Sequence, residues 1–404
     1  MVILKDRFFI LSLFAGLLIR LFLSPIQGFK FDVDTWFAWA QRLNSFNFSS
    51  FYSDTIWTGY PPGFLYILSF LGFIKNLFQI TDSTFYILLK FPSIIAEIIL
   101  GIIIYKIIPK EFVIWRKIAL IFVIFNPSFV FNSAIFGQFD GLFSLTVLLS
   151  VYFLIKKRLV FSSIFWGVSF LLKPQAVLLG PVFLFYMLKN FSIKNIITIS
   201  LSLILTILIA FLPFFPNNIM FGPINIVTNL LDFYPFNSIF AYNLWGILGF
   251  WIKDSNNYLN ITYQNWGYIL FVLFLSLIFF YGRRRKLSQY SIASLSSLGF
   301  FFLLTRMHER YLYPSLVFLI IVFAFRRSKL LAILTAILSL LHFLDLYYVY
   351  IYYNQFFLKL PEIIYLPYIY NFANNNIALI SFISTVVFGI ISINILINNE
   401  SKQN

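Results

Sequence analysis

The chain is a succession of apolar runs that carry almost no charge between their ends, and that feature decides which solvent it folds in. The runs lie at residues 8–23, 85–108, 118–136, 141–155, 159–172, 176–188, 196–214, 266–281, 292–304, 311–325, 330–347 and 377–397. A membrane span needs about 20 apolar residues. Hydrocarbon offers no partner to an unpaired backbone group, so such runs specify α-helices. Charged residues make up 11% of the 404 residues and mean hydropathy is +0.89. A water-facing domain of this size carries about 25% charge. The expected fold is an all-α polytopic membrane protein, one domain over residues 1–404, with about 12 transmembrane helices (roughly 11–13). The pair of short runs between 159 and 188, interrupted by Lys173 and Pro174, has the softest boundaries.

Orientation follows from where the basic residues collect. Clusters stand at Lys5/Arg7, Lys106/Lys110/Arg116/Lys117, Lys156/Lys157/Arg158, Lys189/Lys194, Arg283/Arg284/Arg285/Lys286 and Arg326/Arg327/Lys329. Loops rich in Lys and Arg stay cytoplasmic. All six clusters reach one side only if the apolar segment at 61–80 does not cross. It is therefore read as a re-entrant or interfacial helix on the outer side, with Lys75 inside it and Tyr60 and Tyr66 near its start. The run at 8–23 is read as a retained first helix, because Leu23-Ser-Pro offers no small-residue cleavage site. Both termini are then cytoplasmic in a cell (inner) membrane, and most carboxylates lie outside or at membrane depth. The outer segments are a first loop at 24–84 with interfacial helices, a long loop at 215–265 and a loop at 348–376.

The net charge of +15 follows from the cytoplasmic clusters and does not call for nucleic acid. With no cysteine and two histidines, disulfides, thiolate metal sites and His-rich metal clusters are excluded.

Ionisable groups at membrane depth are costly and call for a reason. Phe31-Asp-Val-Asp places Asp32 and Asp34 just before an aromatic amphipathic stretch. Either carboxylate could be a general base for a hydroxyl, the pair could hold a divalent metal, or one could simply N-cap a helix beginning near Thr35. The stretch from Asn132 to Gly141 brings Gln138 and Asp140 between two spans, as sugar-binding groups or as a polar hairpin turn. Lys173 can neutralise a phosphate or snorkel to the interface. In Arg306-Met-His-Glu-Arg310, three potentially cationic side chains (Arg306, His308, Arg310) flank Glu309 on the outer side. There they oppose the positive-inside tendency and suit a phosphate. Outer carboxylates facing outer cations point to group transfer from a lipid-phosphate donor at the outer leaflet.

These segments, in order, resemble the GT-C superfamily of polyprenyl-phosphate-sugar-dependent glycosyltransferases. The likeness is strongest to bacterial relatives of the GPI mannosyltransferases. It is more distant to the ER glucosyltransferases that use dolichyl-phosphate glucose. The matching residues are Phe31-Asp-Val-Asp with Trp39, Tyr60-Pro-Pro, Lys90-Phe-Pro-Ser-Ile-Ile-Ala-Glu97, Asn132-Ser with Phe136-Gly-Gln-Phe-Asp140, Leu172-Lys-Pro-Gln-Ala176 with Pro181, and Met307-His-Glu-Arg-Tyr311.

The resemblance implies an inverting, one-step hexosyl transfer, mannose-like by preference, to a lipid-linked or cell-envelope glycan or glycolipid acceptor. Asp32, with Asp34 second, takes the place of the base. Lys173, Arg306, His308 and Arg310 fall where the donor phosphate is held, and Tyr60, Gln138, Asp140 and Glu309 where the substrate binds. Arg310 and Asp140 stand where the glucosyltransferases usually carry lysine and asparagine, which separates the sugar specificities. Metal dependence varies across the superfamily. The alternative is a lipid-linked oligosaccharide flippase. Such transporters usually show internal repeats and broken midplane helices.

Overall fold

The computed structural model describes residues 6–52, 58–231, 233–361 and 364–398. Lys5, assigned above to the cytoplasmic side, lies outside these residues. So do residues 53–57 of the first loop and 362–363 of the last.

The chain is an all-α polytopic membrane protein. Each apolar run falls on a helix, and two match to the residue, Leu159–Leu172 and Ile377–Ile397. Among the described residues, six helical stretches are long and apolar enough to cross a bilayer: Asp82–Ile107, Val113–Phe136, Ile193–Phe211, Tyr263–Arg284, Lys329–Phe357 and Ile377–Ile397. Shorter apolar helices pack between them. The core is made by Gln289–Leu303 and Tyr313–Arg326, whose side chains are buried on nearly every face. The peripheral Ile193–Phe211 turns nearly all its apolar residues outward. This distribution fits a lipid solvent.

The run at 118–136 bends where proline and polar residues predict. Asn126 accepts from the backbone N–H of Ser128 at 3.1 Å and restarts the helix at Pro127. Beyond it, Phe131–Phe136 forms a π-helical turn that ends at Gly137, whose φ of +89° a side-chain-bearing residue rarely adopts.

One expectation changes. The first loop is mostly helical, and its helix spans Lys30–Ser45 with Phe29 at the N-cap and no side-chain cap bond. Neither Asp32 nor Asp34 caps it, because the helix starts two residues before Asp32. Helix Lys329–Ile351 continues through a π-helical turn to Phe357, because Tyr347, Tyr348, Val349 and Tyr350 remain apolar enough to stay buried.

Helix Pro62–Leu77 lies against Lys30–Ser45 along its length. Asn44 donates to the carbonyl of Ser69 at 3.1 Å, and the Trp36 and Phe64 rings meet edge to face at 5.2 Å. At its far end, Lys75 lies 5.7 Å from the Phe37 ring and pairs with Asp82 at 2.9 Å. Both ends therefore stay beside the first-loop helix.

In the long loop, Ser238–Ile239 pairs in parallel with Met307–His308. Asn257–Tyr258 and Ile261–Thr262 make a hairpin. The parallel pair brings the Arg306–Arg310 segment against the long loop.

Candidate active site

Residues 24–30 are held from four directions, and this places the first turn of helix Lys30–Ser45. The Lys90 ammonium is buried and donates to the carbonyls of Ser24, Ile26 and Ala134 at 2.8, 2.7 and 3.0 Å. The Phe29 N–H donates to the carbonyl of Phe136 at 2.8 Å. Tyr350 donates to the carbonyl of Gln27 at 2.7 Å. Asn354 donates to the carbonyl of Gly28 at 2.9 Å and accepts from the Lys30 N–H at 3.1 Å, satisfying one orphan donor of the helix start. Along the helix, Val33, Trp36, Ala40 and Leu43 form the buried stripe. Asp32 and Thr35, three residues apart, share another face and line a cavity of about 350 Å³.

The cavity is walled by the first-loop helix, the long loop, residues 308–310 and the end of helix Lys329–Ile351. Besides Tyr234 and Tyr353, its ionisable lining groups are Asp32, His308, Glu309 and Arg310. Asp32 accepts a hydrogen bond from the side-chain amide of Gln138 and lies 3.9 Å from Arg310. Arg310 also donates to Glu309 at 2.9 Å. Glu309 lies 3.8 Å from Nδ1 of His308. Gln138 Oε1 is buried without a partner among the described residues, leaving an acceptor beside Asp32.

The charges on this wall follow from burial and from one another. Burial raises the Asp32 carboxyl above its usual range, and the opposing pull of Arg310 and the Gln138 hydrogen bond does not cancel it. Burial also disfavours ionisation of Glu309. There Arg310, with His308 close by, wins and holds the carboxyl at about 2. Burial pushes His308 down, so the imidazole is neutral at pH 7. Burial acts against the Arg310 charge too, but Glu309 and Asp32 outweigh it and keep the guanidinium protonated.

The other expected site residues divide into two groups. Lys173 and Asp140 are both buried and form an ion pair of 2.5 Å beside the cavity. Asn132 completes the pair by donating to Asp140 at 3.2 Å, and Lys173 rests 4.6 Å from the Phe139 ring. Tyr60 packs edge to face on Trp36 at 5.3 Å. Two residues turn away from the cavity. Asp34 is 41% exposed, pairs with Lys30 at 2.8 Å and accepts from Tyr86 at 2.9 Å. Arg306 donates to the buried Asp254 at 2.6 Å.

Of the three potential cations in the Arg306–Arg310 segment, therefore, one carries a fixed charge into the cavity. The two first-loop carboxylates do not converge on a common point. Among the described residues, no group of three or more His, Cys, Asp or Glu side chains is placed to hold a metal ion.

Several polar residues with structural roles were not singled out in the sequence. Arg20, inside the first helix, pairs with Glu97 at 2.6 Å, and Glu97 also accepts from Ser133 and Tyr313 at 2.7 Å each. Asn354 and Asp254 are the others. A lone arginine in the last turn of an apolar helix was the available signal for Arg20. Nothing local marks Asp254 or Asn354.

An all-α membrane fold with a small cavity that sets a carboxylate against a guanidinium defines a class of integral-membrane protein built for polar chemistry at a helix-bundle surface. The family comparison narrows it. Residues 57–305 match the model of glycosyltransferase family 87, more than half of the chain, and the protein belongs to that family. It is a membrane glycosyltransferase, acting with a sugar donor and a glycan acceptor. The matched stretch holds Tyr60, Gln138, Asp140 and Lys173, while Asp32 and the Arg306–Arg310 segment flank it. No curated protein matches the chain.

Proposed function

We propose that the protein moves a hexose, mannose-like by preference, from a polyprenyl-phosphate sugar to a lipid-linked or cell-envelope acceptor. The transfer takes place at the outer face of a cell membrane and inverts the anomeric centre. The observation that carries this reading is the placement of Asp32 and Arg310 on one small cavity, 3.9 Å apart.

In this reading Asp32 takes the proton of the acceptor hydroxyl. The acceptor oxygen forms its bond to the anomeric carbon as the bond from that carbon to the phosphate oxygen breaks, and the electron pair leaves with the polyprenyl phosphate. A raised carboxyl is a stronger base once ionised, which suits proton transfer near neutral pH. Arg310 stabilises the charge that develops on the phosphate. A phosphate needs little acid assistance, so the transfer does not call for a protonated His308. Gln138 orients Asp32. Lys173 and Asp140, already paired, add field to the site. Asp34 and Arg306 hold the scaffold. Membership of a glycosyltransferase family favours this reading over a flippase.

Two supports bear on the membrane side. The described basic clusters reach one face if Pro62–Leu77 does not cross, and both ends of that helix stay beside Lys30–Ser45. The test is the anomeric configuration of the product. NMR of the glycoside formed from a β-linked polyprenyl-phosphate sugar should show the α-linkage. Retention of the β-linkage contradicts a one-step displacement.

A further inference from the structure

Two aromatic residues on the cavity wall have a backbone conformation that bulky L-residues rarely take. Phe240 has φ +64° and Trp251 has φ +61°. Such outliers persist only where the surroundings impose them, and they gather at ligand sites. Here the surroundings are identifiable. Asn237, fully buried, donates to the carbonyls of Trp245 and Gly249 at 3.0 and 2.8 Å and accepts from the Ile252 N–H at 3.0 Å. Trp251 donates its N–H to the carbonyl of Ser238 at 3.0 Å, and Phe240 bridges to His308.

This framework sets three rings in contact, the Phe240–Trp251 and Tyr234–Trp251 pairs meeting edge to face. The Phe240 and Trp251 centroids are 5.4 Å apart, Tyr234 and Trp251 6.1 Å, and Tyr234 meets the His308 ring at 5.0 Å. All four residues line the cavity. The aromatic wall is thus continuous with the His308–Arg310 side. An aromatic face is electron-rich and attracts the polarised C–H groups of a pyranose, while ring hydroxyls are left for polar partners. At about 350 Å³ the cavity is near the small end of ligand sites, which suits one or two sugar rings.

We propose that Tyr234, Phe240 and Trp251 form the platform on which the sugar of the lipid-phosphate donor lies. The proposal rests on the donor reading given above. The rings border the phosphate-binding side, so the sugar attached to that phosphate meets them first, with its anomeric carbon toward Asp32. The strained turn is what orients the rings.

The test uses Trp251→Gly and Trp251→Phe in the full-length protein in nanodiscs. Binding is measured for a short-chain polyprenyl-phosphate mannose and for the same polyprenyl phosphate without sugar. Glycine adopts the φ of residue 251 freely, so the backbone is not strained by the change. Melting temperature is followed in parallel.

Trp251→Gly should weaken the sugar-bearing lipid by about tenfold and leave the sugar-free lipid unchanged, with Trp251→Phe close to wild type. Equal effects on both lipids, or none on either, overturn the platform. So does a wild type that binds both lipids equally, since the sugar then gains nothing from the wall. A wild type that binds neither lipid removes the donor reading and the platform with it.

Discussion

Gln138 donates its side-chain amide to Asp32 across 106 residues of chain, joining the end of the turn that follows helix Val113–Phe136 to the first turn of the first-loop helix. The bond ties the orientation of the cavity carboxylate to the bend at Gly137. It also lowers the proton affinity of that carboxylate against the larger effect of burial.

Removing the bond should therefore be visible in a pH profile. With that bond gone and Arg310 still opposing burial, the Asp32 carboxyl rises further. The acid limb of transfer rate against pH should move to higher pH in Gln138→Ala, while wild type recovers activity at lower pH. An unmoved limb would mean that Asp32 is not the group being titrated.

Asp32 and Asp34 are two residues apart and should behave differently. A positioned general base contributes about 10²–10⁴ in rate, so Asp32→Asn should lose transfer by at least about 100-fold without loss of folding. Asp34 is 41% exposed and faces Lys30 and Tyr86, so Asp34→Asn should stay within a few-fold of wild type. Kinetics of the two purified variants decide the matter.

Arg306 should prove to be a stability residue. Its partner Asp254 is buried, and removing one member of a buried pair strands the other at about 3 kcal/mol. Arg306→Ala should lower the melting temperature by several degrees, while the protein that stays folded keeps its donor KM. A raised donor KM with an unchanged melting temperature would put Arg306 at the phosphate instead.

Glu309 sets an acid limit. Its carboxyl is held at about 2 when folded, against 4.5 for the free group. Between these values the unfolded state binds more protons, so stability rises with pH. The contribution is fully present above about 4.5 and is lost as pH falls toward 2. In Glu309→Gln this part of the slope should vanish. Denaturant melts between pH 2 and 6 measure it.

The chain has no cysteine, so single introduced cysteines report membrane side directly. In oriented vesicles, Arg284→Cys should react with an impermeant thiol reagent from the cytoplasmic side only. Asn256→Cys and Gln79→Cys should react from the outer side only. Labelling of residue 79 from the cytoplasm would make Pro62–Leu77 a crossing helix.

Most helices were legible because hydrocarbon enforces a local rule: a long apolar run has one structure available to it. The cavity was legible as a set of residues, since a carboxylate or guanidinium near the membrane stands out against an apolar background. Which way each side chain turned was not. Arg306 meets Asp254 from 52 positions earlier, and Asn354 reaches residues 28 and 30 from the other end of the chain. Such partners are chosen by packing and leave no trace in spacing. The cap assigned to Asp32 or Asp34 failed for a related reason. Asn354 supplies the acceptor at the start of the helix, so the helix begins before either aspartate.

The central claim, that Asp32 is the base of a transfer from a lipid-phosphate sugar, is tested most directly by one measurement. Wild type, Asp32→Asn and Asp34→Asn in lipid are given a panel of labelled polyprenyl-phosphate sugars with membrane glycolipids as acceptors. Wild type and Asp34→Asn should transfer sugar from one donor, and Asp32→Asn should show none above background. Transfer by Asp32→Asn at the wild-type rate would contradict it.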